Sequence, residues 1–388
     1  MASTEAAQLK DGAVYRSSIG PGARLYYQVA LDATSDAYVS AVAVPKLGPQ
    51  VKVDYTDGIK VTLQDLQGDS CGNDGDAVFG SAEYPRPIAA QAGRRIKKDG
   101  LYCQAAGPYY VLIERTTKAA AAQEDWGLEI RVDSEPGLKA GSGGPTAAPT
   151  SWPSASPVPP TGTADRTEGG TGFNDATVLK PGVWDDRITP GQTRFYRVPV
   201  GWGQQLFAGA DLGSSSGDGF VASAFAVQLY NPVRSAITEG STAYDGKPKS
   251  TGPDPMPPVA YKNRYSVRGD VSGAGIAGDY YLAVTLSPDV AKAFGEKQYG
   301  LTLRLSVKGE ESPPPAYTGA TPRFGTSGGG DAGRSSMKLV GVAGIGAGTV
   351  LVLVLGVWTL IARRRTGMMA APGAGQQPPA QYGPPPAW

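Results

Sequence analysis

The chain has 388 residues, which is enough for two or three domains, and its 54 glycines and 33 prolines indicate that much of it forms turns and linkers. The formal net charge is +1, and the basic residues are scattered among acids of nearly equal number, so no nucleic-acid-binding surface is predicted. Histidine is absent, which excludes every mechanism that needs an imidazole base and every zinc or iron site with a histidine ligand.

The first segment, Met1–Lys10, has no apolar core of the kind that an export signal requires. The apolar run at 339–362 and the three arginines after it nevertheless predict that most of the chain lies outside the cell. Three explanations stay open: a signal peptide was removed, the start is placed too late, or a larger extracellular module precedes this chain.

Residues 1–133 form the first predicted domain. Tyr27, Val29 and Leu31 alternate with more polar neighbours, the period of two expected for a half-buried strand. Cys71 and Cys103 fall in this domain, and an oxidising compartment would let them pair across a loop of about 30 residues. We therefore predict a structural disulfide, since two thiols are too few for a metal site.

A polar loop beside this first cysteine offers oxygen ligands that calcium prefers. Its candidate ligands are Asp69, Asn73, Asp74 and Asp76. The spacing does not match an EF-hand, because the sixth position of the loop is Asp74 where that motif needs glycine, and no glutamate closes it at position twelve. A solvated turn is the preferred interpretation, and no other cofactor is predicted.

The strongest internal signal is a duplication. Leu9–Val29 and Leu179–Val198 share an LKxG start, an I-x-P-G turn and a Y-x-V strand. Three further pairs follow in the same order: Val61–Gly68 with Val227–Arg234, Gly107–Ile113 with Gly278–Val284, and Trp126–Val132 with Tyr299–Leu305. Four landmarks in one order indicate two homologous domains.

Each landmark is typical of a strand, and helical periodicity is nearly absent outside Thr117–Asp125 and Ser287–Lys297. Short strands separated by turns rich in Gly, Pro and Asp favour antiparallel sheets packed face to face. The predicted fold class is therefore all-β, with two tandem antiparallel, jelly-roll-like β-sandwich domains plus one C-terminal transmembrane helix. The second domain covers residues 173–308.

Two stretches have linker composition. Residues 134–172 are rich in Pro, Ser, Thr and Gly, and residues 309–337 form a predicted juxtamembrane stalk. Whether these linkers are O-glycosylated is left open. The last segment, 363–388, is a proline- and glycine-rich tail predicted to be disordered.

Residues 338–362 form the predicted transmembrane helix. No charged residue occurs from Leu339 to Ala362, and at about 1.5 Å per residue this length crosses a hydrocarbon core of roughly 30 Å. Arg363, Arg364 and Arg365 follow at once and predict a cytoplasmic C-terminal side.

Gly344 and Gly348 within this segment form a GxxxG pattern that favours close packing of two such helices, and hence self-association. Glycine is also common in membrane helices that do not pair.

Each repeat has a P-G turn before an aromatic strand, a middle strand ending at a turn (LQDLQG; QLYNPVR) and a G-x-Y-Y segment. In these motifs the chain resembles bacterial pre-peptidase C-terminal-like domains, over about two thirds of its length. The resemblance implies non-catalytic β-sandwich modules appended to secreted enzymes or surface proteins. The second repeat departs from it, with Ala226, Val227 and Gln228 where that family usually carries acids.

The layout is also similar to membrane-anchored surface proteins of actinobacteria, some of which carry a von Willebrand A-type domain ahead of similar repeats. This chain contains no adhesion motif of that domain.

A hydrolase without histidine would need a carboxylate pair, as in many glycoside hydrolases. The candidates in the second repeat are Asp185, Asp186, Asp211, Asp218, Glu239, Asp245 and Asp254, with Trp184 and Trp202 as sugar platforms. They are spread over loops, as in an ordinary sandwich surface. The Arg268-Gly269-Asp270 triplet is attributed to chance.

The sequence thus predicts a non-catalytic, single-pass bacterial surface protein that displays two binding or accessory domains outside the cell. Its expected partners are the lipid bilayer and an extracellular protein or glycan. The alternatives are the anchoring part of a longer surface protein and, more remotely, a wall-polysaccharide hydrolase.

Overall fold

A computed structural model describes residues 6–47, 51–72, 74–97, 100–118, 124–141 and 147–325. All of them belong to one compact unit, Met1–Ser327. Several predictions lie outside the described residues: the transmembrane helix with Gly344 and Gly348, the arginines from Arg363 to Arg365, the tail, and Asn73 of the calcium loop. Within the described part, no helix has the length and apolar character needed to span a bilayer.

The described residues of the first sandwich form nine strands: β1 Ala7–Leu9, β2 Val14–Ile19, β3 Arg24–Leu31, β4 Asp36–Val44, β5 Gly58–Gln64, β6 Gly75–Val78, β7 Ile88–Arg94, β8 Gly107–Thr116 and β9 Trp126–Glu135. They form two sheets. Sheet 1 has the order β1-β3-β8-β5-β6, and sheet 2 has the order β2-β9-β4-β7.

The second sandwich contains ten strands: β10 Asp165–Arg166, β11 Thr177–Val178, β12 Gly182–Ile188, β13 Thr193–Val200, β14 Gln205–Leu212, β15 Val221–Tyr230, β16 Ala236–Tyr244, β17 Lys249–Thr251, β18 Gly278–Leu286 and β19 Tyr299–Lys308. Sheet 3 has the order β11-β13-β18-β15-β16, and sheet 4 has the order β10-β12-β19-β14-β17. Short helices connect some strands: α1 Gly269–Ser272, α2 Asp289–Phe294, and 3-10 turns at Gly80–Ala82 and Tyr261–Tyr265.

The two sandwiches have the same topology. Adding ten to the strand numbers of sheet 1 gives sheet 3, and the same operation on sheet 2 gives sheet 4 without its extra edge strand β10. Pairing is antiparallel except for the short strands β1, β10 and β11, which pair in parallel with β3, β12 and β13. The all-β prediction is confirmed.

The repeated I-x-P-G turn carries the chain from one sheet of each sandwich to the other. It joins β2 to β3 through Gly22 and β12 to β13 through Gly191, whose φ angles are +64° and +80°. Glycine adopts this left-handed conformation without the steric penalty that a side chain would meet. The repeat therefore preserves the residue that each crossing needs.

Each sandwich has its own apolar core. In β19 the alternating Leu301, Leu303 and Leu305 are buried in the second core, as the period of two predicts. In the first core, Trp126 packs edge-on against Phe79 with ring centroids 5.5 Å apart. The predicted helical excursion at residues 287–297 contains α2, whereas most of its counterpart at 117–125 lies outside the described residues.

Parts of the segments of linker composition are joined to the sandwiches. Residues 134 and 135 are the end of β9, and residues 165 and 166 form β10. Further on, Tyr317 of the predicted stalk forms a β-bridge with Leu138 of the predicted linker. Backbone hydrogen bonds join these segments at particular points: Lys139 donates to the Ala316 carbonyl at 2.8 Å, and Thr167 donates to the Asp185 carbonyl of β12 at 2.9 Å.

Candidate functional site

The two sandwiches pack face to face through sheet 2 and sheet 3. Val42 of β4 and Ala89 of β7 lie in one buried cluster with residues of the second sandwich: Phe173, Ala176, Phe195, Tyr230, Tyr281 and Ala283. A second cluster joins Tyr38 to Val233, Ile276 and Phe324. Because apolar surface is buried on both sides, separating the sandwiches would expose it to water.

A buried polar cluster lies in the same interface and centres on Glu135, which is 1% exposed. Arg264 donates from Nη1 to Oε2 and from Nη2 to Oε1 of this carboxylate, both at 2.9 Å. The Tyr38 and Tyr317 hydroxyls donate to it at 2.7 and 2.8 Å, and Asp36 lies 3.3 Å from Arg264. Such a bidentate, charge-assisted pair has strict geometry.

Burial and mutual charge set the protonation states of this cluster. Burial raises the pKa of Tyr38 well above its usual value, and the adjacent Glu135 adds to the effect. Burial also raises the pKa of Asp36, with Arg264 opposing it. Burial lowers the pKa of Arg264, but the neighbouring Tyr38 and Glu135 outweigh burial and raise it. The cluster joins two domains, and its central carboxylate already holds four donors.

A second polar contact crosses the interface at Arg234, which is 1% exposed and has a φ of +64°. Its Nη1 donates to Glu129 of the first sandwich at 2.7 Å and its Nη2 donates to Asn174 at 2.8 Å. The guanidinium also lies 5.1 Å from the centre of the Phe173 ring. Burial lowers the pKa of Arg234, and Glu129 opposes that shift.

Residues 309–325, called here the strap, return from the second sandwich to this interface. Tyr317 is 4% exposed and Phe324 is 3% exposed. The Phe324 ring meets Tyr38 edge-on at 6.0 Å, and the Tyr281 hydroxyl donates to the carbonyl of Gly325 at 2.8 Å. The strap thus contacts both sandwiches just before the chain leaves the described part.

The proline-walled groove is a concavity on the outer face of sheet 4, and its volume is 710 Å³. Residues 206–211 of β14 line it, together with the proline-rich segments 156–161 and 253–255. Val158 stands at its rim and is 88% exposed. The lining combines these apolar walls with serine, threonine, aspartate and arginine side chains, and concave surfaces that offer both kinds of group are typical of ligand sites.

One end of this groove is polar. Arg304 donates from Nε to Asp211 at 2.7 Å and from Nη1 to the carbonyl of Pro160 at 2.8 Å. Ser250 donates to the other carboxylate oxygen of Asp211 at 2.6 Å. These bonds attach the segment 156–161 to the sheet and pair the charges already present.

The disulfide prediction is confirmed. Cys71 and Cys103 are bonded, with their Cα atoms 5.5 Å apart. Beside them, Asp74 accepts a hydrogen bond from Ser70 at 2.7 Å and pairs with Lys60 at 3.4 Å. Among the described residues, no group of three acids, cysteines or histidines is arranged to hold a metal ion, and calcium stays a prediction.

The acids weighed as hydrolase candidates include one that is buried, one that is ion-paired and two that line the same groove. Asp186 is 5% exposed and accepts hydrogen bonds from the Tyr196 hydroxyl and the Gly169 amide. Asp245 pairs with Lys249 at 3.0 Å. Asp211 and Asp254 line the proline-walled groove, with Asp211 already paired as described.

The two tryptophans weighed as sugar platforms make contacts within the second sandwich. Trp184 donates from Nε1 to the Lys180 carbonyl at 2.9 Å, and Trp202 packs near Tyr261 with ring centroids 6.5 Å apart. In the Arg268-Gly269-Asp270 triplet, the charged side chains pair with each other.

Sequence reasoning missed the interface residues Arg264, Glu135 and Arg234. The sequence signal lies in β4 (DAYVSAVA, 36–43) and in β18 (DYYLAVTL, 279–286), which are largely apolar without alternation and which the structure buries at every position. A strand buried on both faces lacks the alternation of a strand with one solvated face. Such runs indicate that something covers the outer face.

No family model matches the chain, and no curated protein matches it. Among solved structures, a protein from an archaeal virus described by its triple jelly roll fold and turret assembly has a TM-score of 0.19 and 7% identity, covering 75% of this chain. This chain spans 58% of the length of that viral chain.

Two further structures have similar scores. A tandem CBM22 domain of Xyn10C from Paenibacillus barcinonensis has a TM-score of 0.20 and 9% identity, over 78% of this chain and 92% of that one. The CUB1-EGF-CUB2 region of human MASP-1/3 has a TM-score of 0.16 and 6% identity, over 75% and 99%. Scores this low support no argument about relationship or function.

Proposed function

We propose that this chain is a non-catalytic, single-pass cell-surface protein that holds its two sandwiches outside the cell as one joined unit. The observation that carries this proposal is the buried interface, in which Arg264, Glu135, Tyr38 and Tyr317 connect both sandwiches and the strap. A unit joined in this way is suited to presenting a fixed surface at the end of an anchor. The apolar run at 339–362 and the arginines after it support the anchoring.

The role outside the cell is adhesion, scaffolding or another contact with an extracellular protein or glycan. The proline-walled groove supports this part, because its apolar walls and its paired polar end resemble a binding surface. The positions of the acids in the second sandwich favour binding over hydrolysis, since Asp186 is buried and Asp245 is paired with Lys249.

The test uses the full chain in the membrane of living cells. Protease added to intact cells is expected to digest the sandwiches and leave a fragment that contains the C-terminal tail. Digestion of the tail before the cells are permeabilised, with the sandwiches protected, would contradict the proposed orientation.

Binding is tested separately, with the detergent-solubilised full chain immobilised and exposed to wall fragments and to secreted proteins. Retention of one of these supports the proposal, and retention of neither contradicts the binding role. A shortened chain for later work should end after Gly325 and not at Gly309, because the strap between them contributes Tyr317 and Phe324 to the interface.

A further inference from the structure

Strand β14 gives the proline-walled groove its length. The lining contains three runs of six consecutive residues, which are 156–161, 206–211 of β14 and 250–255. A strand rises about 3.3 Å per residue, so residues 206–211 extend over about 17 Å. The volume of 710 Å³ lies within the range of about 300–1,000 Å³ that is usual for ligand sites. A concavity that follows a strand over this distance suits a linear ligand.

A glycine in β14 makes the floor of the groove concave. Leu206 and Ala210 belong to the core of the second sandwich. Phe207 and Gly209 alternate with these two residues and therefore face outward. A Cβ atom added to Gly209 would have one neighbour within 4 Å, the Thr251 carbonyl oxygen at 3.9 Å. The floor thus has open space beside the half-buried Phe207 ring.

The charges of the lining do not balance. Its charged residues are Asp211, Asp254 and Arg304. Arg304 donates to Asp211 at 2.7 Å, so these two charges compensate each other. Asp254 is exposed, and no ion pair within 4.0 Å includes it in the part of the chain that the structure describes. Two acids and one base leave the lining with a net charge of −1, which favours a ligand that carries a positive charge.

The walls favour a peptide over a glycan as this linear ligand. Proline rings offer apolar surface and have no backbone N–H to donate, and the exposed Val158 adds apolar surface at the rim. Phe207 is the one aromatic residue of the lining, so a chain of sugar rings would find a single ring to stack on. Apolar side chains on an extended backbone can cover these walls, and a basic side chain can compensate the charge of Asp254.

We propose that the proline-walled groove binds an extended peptide segment of about six residues, which carries apolar side chains and one lysine or arginine. This inference rests on the binding role proposed above for the groove and names the class of its partner. In such complexes the length of the groove sets the length of the bound segment, and the positions of apolar and charged groups give specificity.

The test selects ligands without assuming their sequence. Random linear hexapeptides displayed on phage are passed over the immobilised full chain in detergent, and the enriched peptides are synthesised and measured by fluorescence anisotropy. The enriched peptides are expected to contain lysine or arginine together with apolar residues. Their affinity should fall as the salt concentration rises, because salt screens the attraction between exposed charges.

Gly209→Leu should remove measurable binding, because the leucine side chain fills the open space in the floor without a close neighbour. Gly300→Leu is the matched control and should leave binding unchanged. Gly300 lies in β19 of the same sheet between the buried Tyr299 and Leu301, and an added Cβ atom would have no neighbour within 4 Å. It does not line the groove. Both variants should melt at the wild-type temperature.

Asp254→Asn tests the charge separately and should weaken binding about fivefold, the upper end for an exposed ion pair. Asp218→Asn, which changes an exposed acid outside the groove, should leave binding unchanged. Enrichment of no hexapeptide, enriched peptides without a basic residue, or equal binding by Gly209→Leu would overturn the proposal. Retention of wall glycan that Gly209→Leu abolishes, with no hexapeptide enriched, would overturn it and leave the proposed display function intact.

Discussion

Arg264 lies where the two sandwiches meet, and its guanidinium faces two carboxylates, Glu135 and Asp36. A buried charge is costly unless it is paired, and removal of one partner leaves the others unpaired in a medium of low dielectric constant. The arginine therefore favours the docked arrangement, in which both acids are paired.

Replacing Arg264 with methionine should lower the free energy of unfolding by about 3–5 kcal/mol, because Glu135 and Asp36 then stay buried without a cation. The measurement is urea denaturation of the full chain in detergent. Arg24→Met is the matched control: Arg24 pairs with Glu114 but its side chain is 68% exposed, so the expected loss is about 0–1 kcal/mol. Equal losses of unfolding free energy in the two variants would show that the buried cluster does not stabilise the interface.

Buried tyrosines predict a loss of stability in alkali. Burial raises the pKa of Tyr84, Tyr244 and Tyr261 to about 12, whereas an unfolded tyrosine titrates near 10. Their contribution is fully present below about pH 10 and is lost as pH rises toward about 12, since only the unfolded chain releases these protons there. Arg115 acts in the opposite direction, because burial lowers its pKa to about 10.

The urea midpoint is measured from about pH 8 to about pH 12, and it should fall more steeply as the pH rises. Tyr84→Phe should make that fall shallower, whereas Tyr102→Phe should not, since Tyr102 is 63% exposed. A midpoint that stays constant across this range would contradict the assigned burial.

The strap, residues 309–325, connects the interface between the sandwiches to the C-terminal part of the chain. Phe324→Ala should destabilise the docked unit by about 3 kcal/mol, because a buried ring and its contact with Tyr38 are lost. It should also speed proteolytic cleavage at residues 136–141, where Leu138 pairs with the strap. Phe220→Ala is the control: Phe220 is 70% exposed, so its replacement should change neither stability nor cleavage. Cleavage of Phe324→Ala at the wild-type rate would argue against a role of the strap in holding residues 136–141 in place.

The disulfide joins two other segments, the loop that follows β5 and the segment that precedes β8. It closes a loop with a sequence separation of 32, for which the loop-entropy estimate is about 4 kcal/mol. A phosphine reductant should lower the unfolding free energy by about that amount. The double variant Cys71→Ser, Cys103→Ser should show the same loss and no further response to the reductant, and an unchanged wild-type midpoint on reduction would refute the estimate.

Strand patterns made the separate sandwiches predictable, and they also explain what was missed. Alternation in β19 and the P-G turns through Gly22 and Gly191 depend on neighbours close in sequence, so the sequence alone predicts them. The contact between Arg264 and Glu135 joins residues 129 positions apart in sequence, and no local pattern records it. The largely apolar runs of β4 and β18 indicate that both faces of these strands are covered, but they do not identify the covering sheet.

The duplication has a consequence for the molecule as a whole, because two copies of one topology use different sheets to meet. The first sandwich contributes sheet 2 and the second contributes sheet 3, which corresponds to sheet 1. The interface is therefore not a two-fold symmetric pairing of equivalent faces. One residue type therefore has different surroundings in the two copies: Tyr281 is buried in the interface, whereas its counterpart Tyr110 in β8 is half-buried.

Because this interface is buried and apolar, with a polar cluster that both sandwiches complete, the two should unfold as one cooperative unit. Calorimetry of the full chain in detergent is expected to show a single transition for the sandwiches, with equal calorimetric and van't Hoff enthalpies. The double variant Arg264→Met, Arg234→Met should split it into two, since each sandwich keeps its own core while the contacts to Glu135 and Glu129 are lost. Two separate transitions in the wild-type chain would show that the sandwiches are neighbours without being energetically coupled.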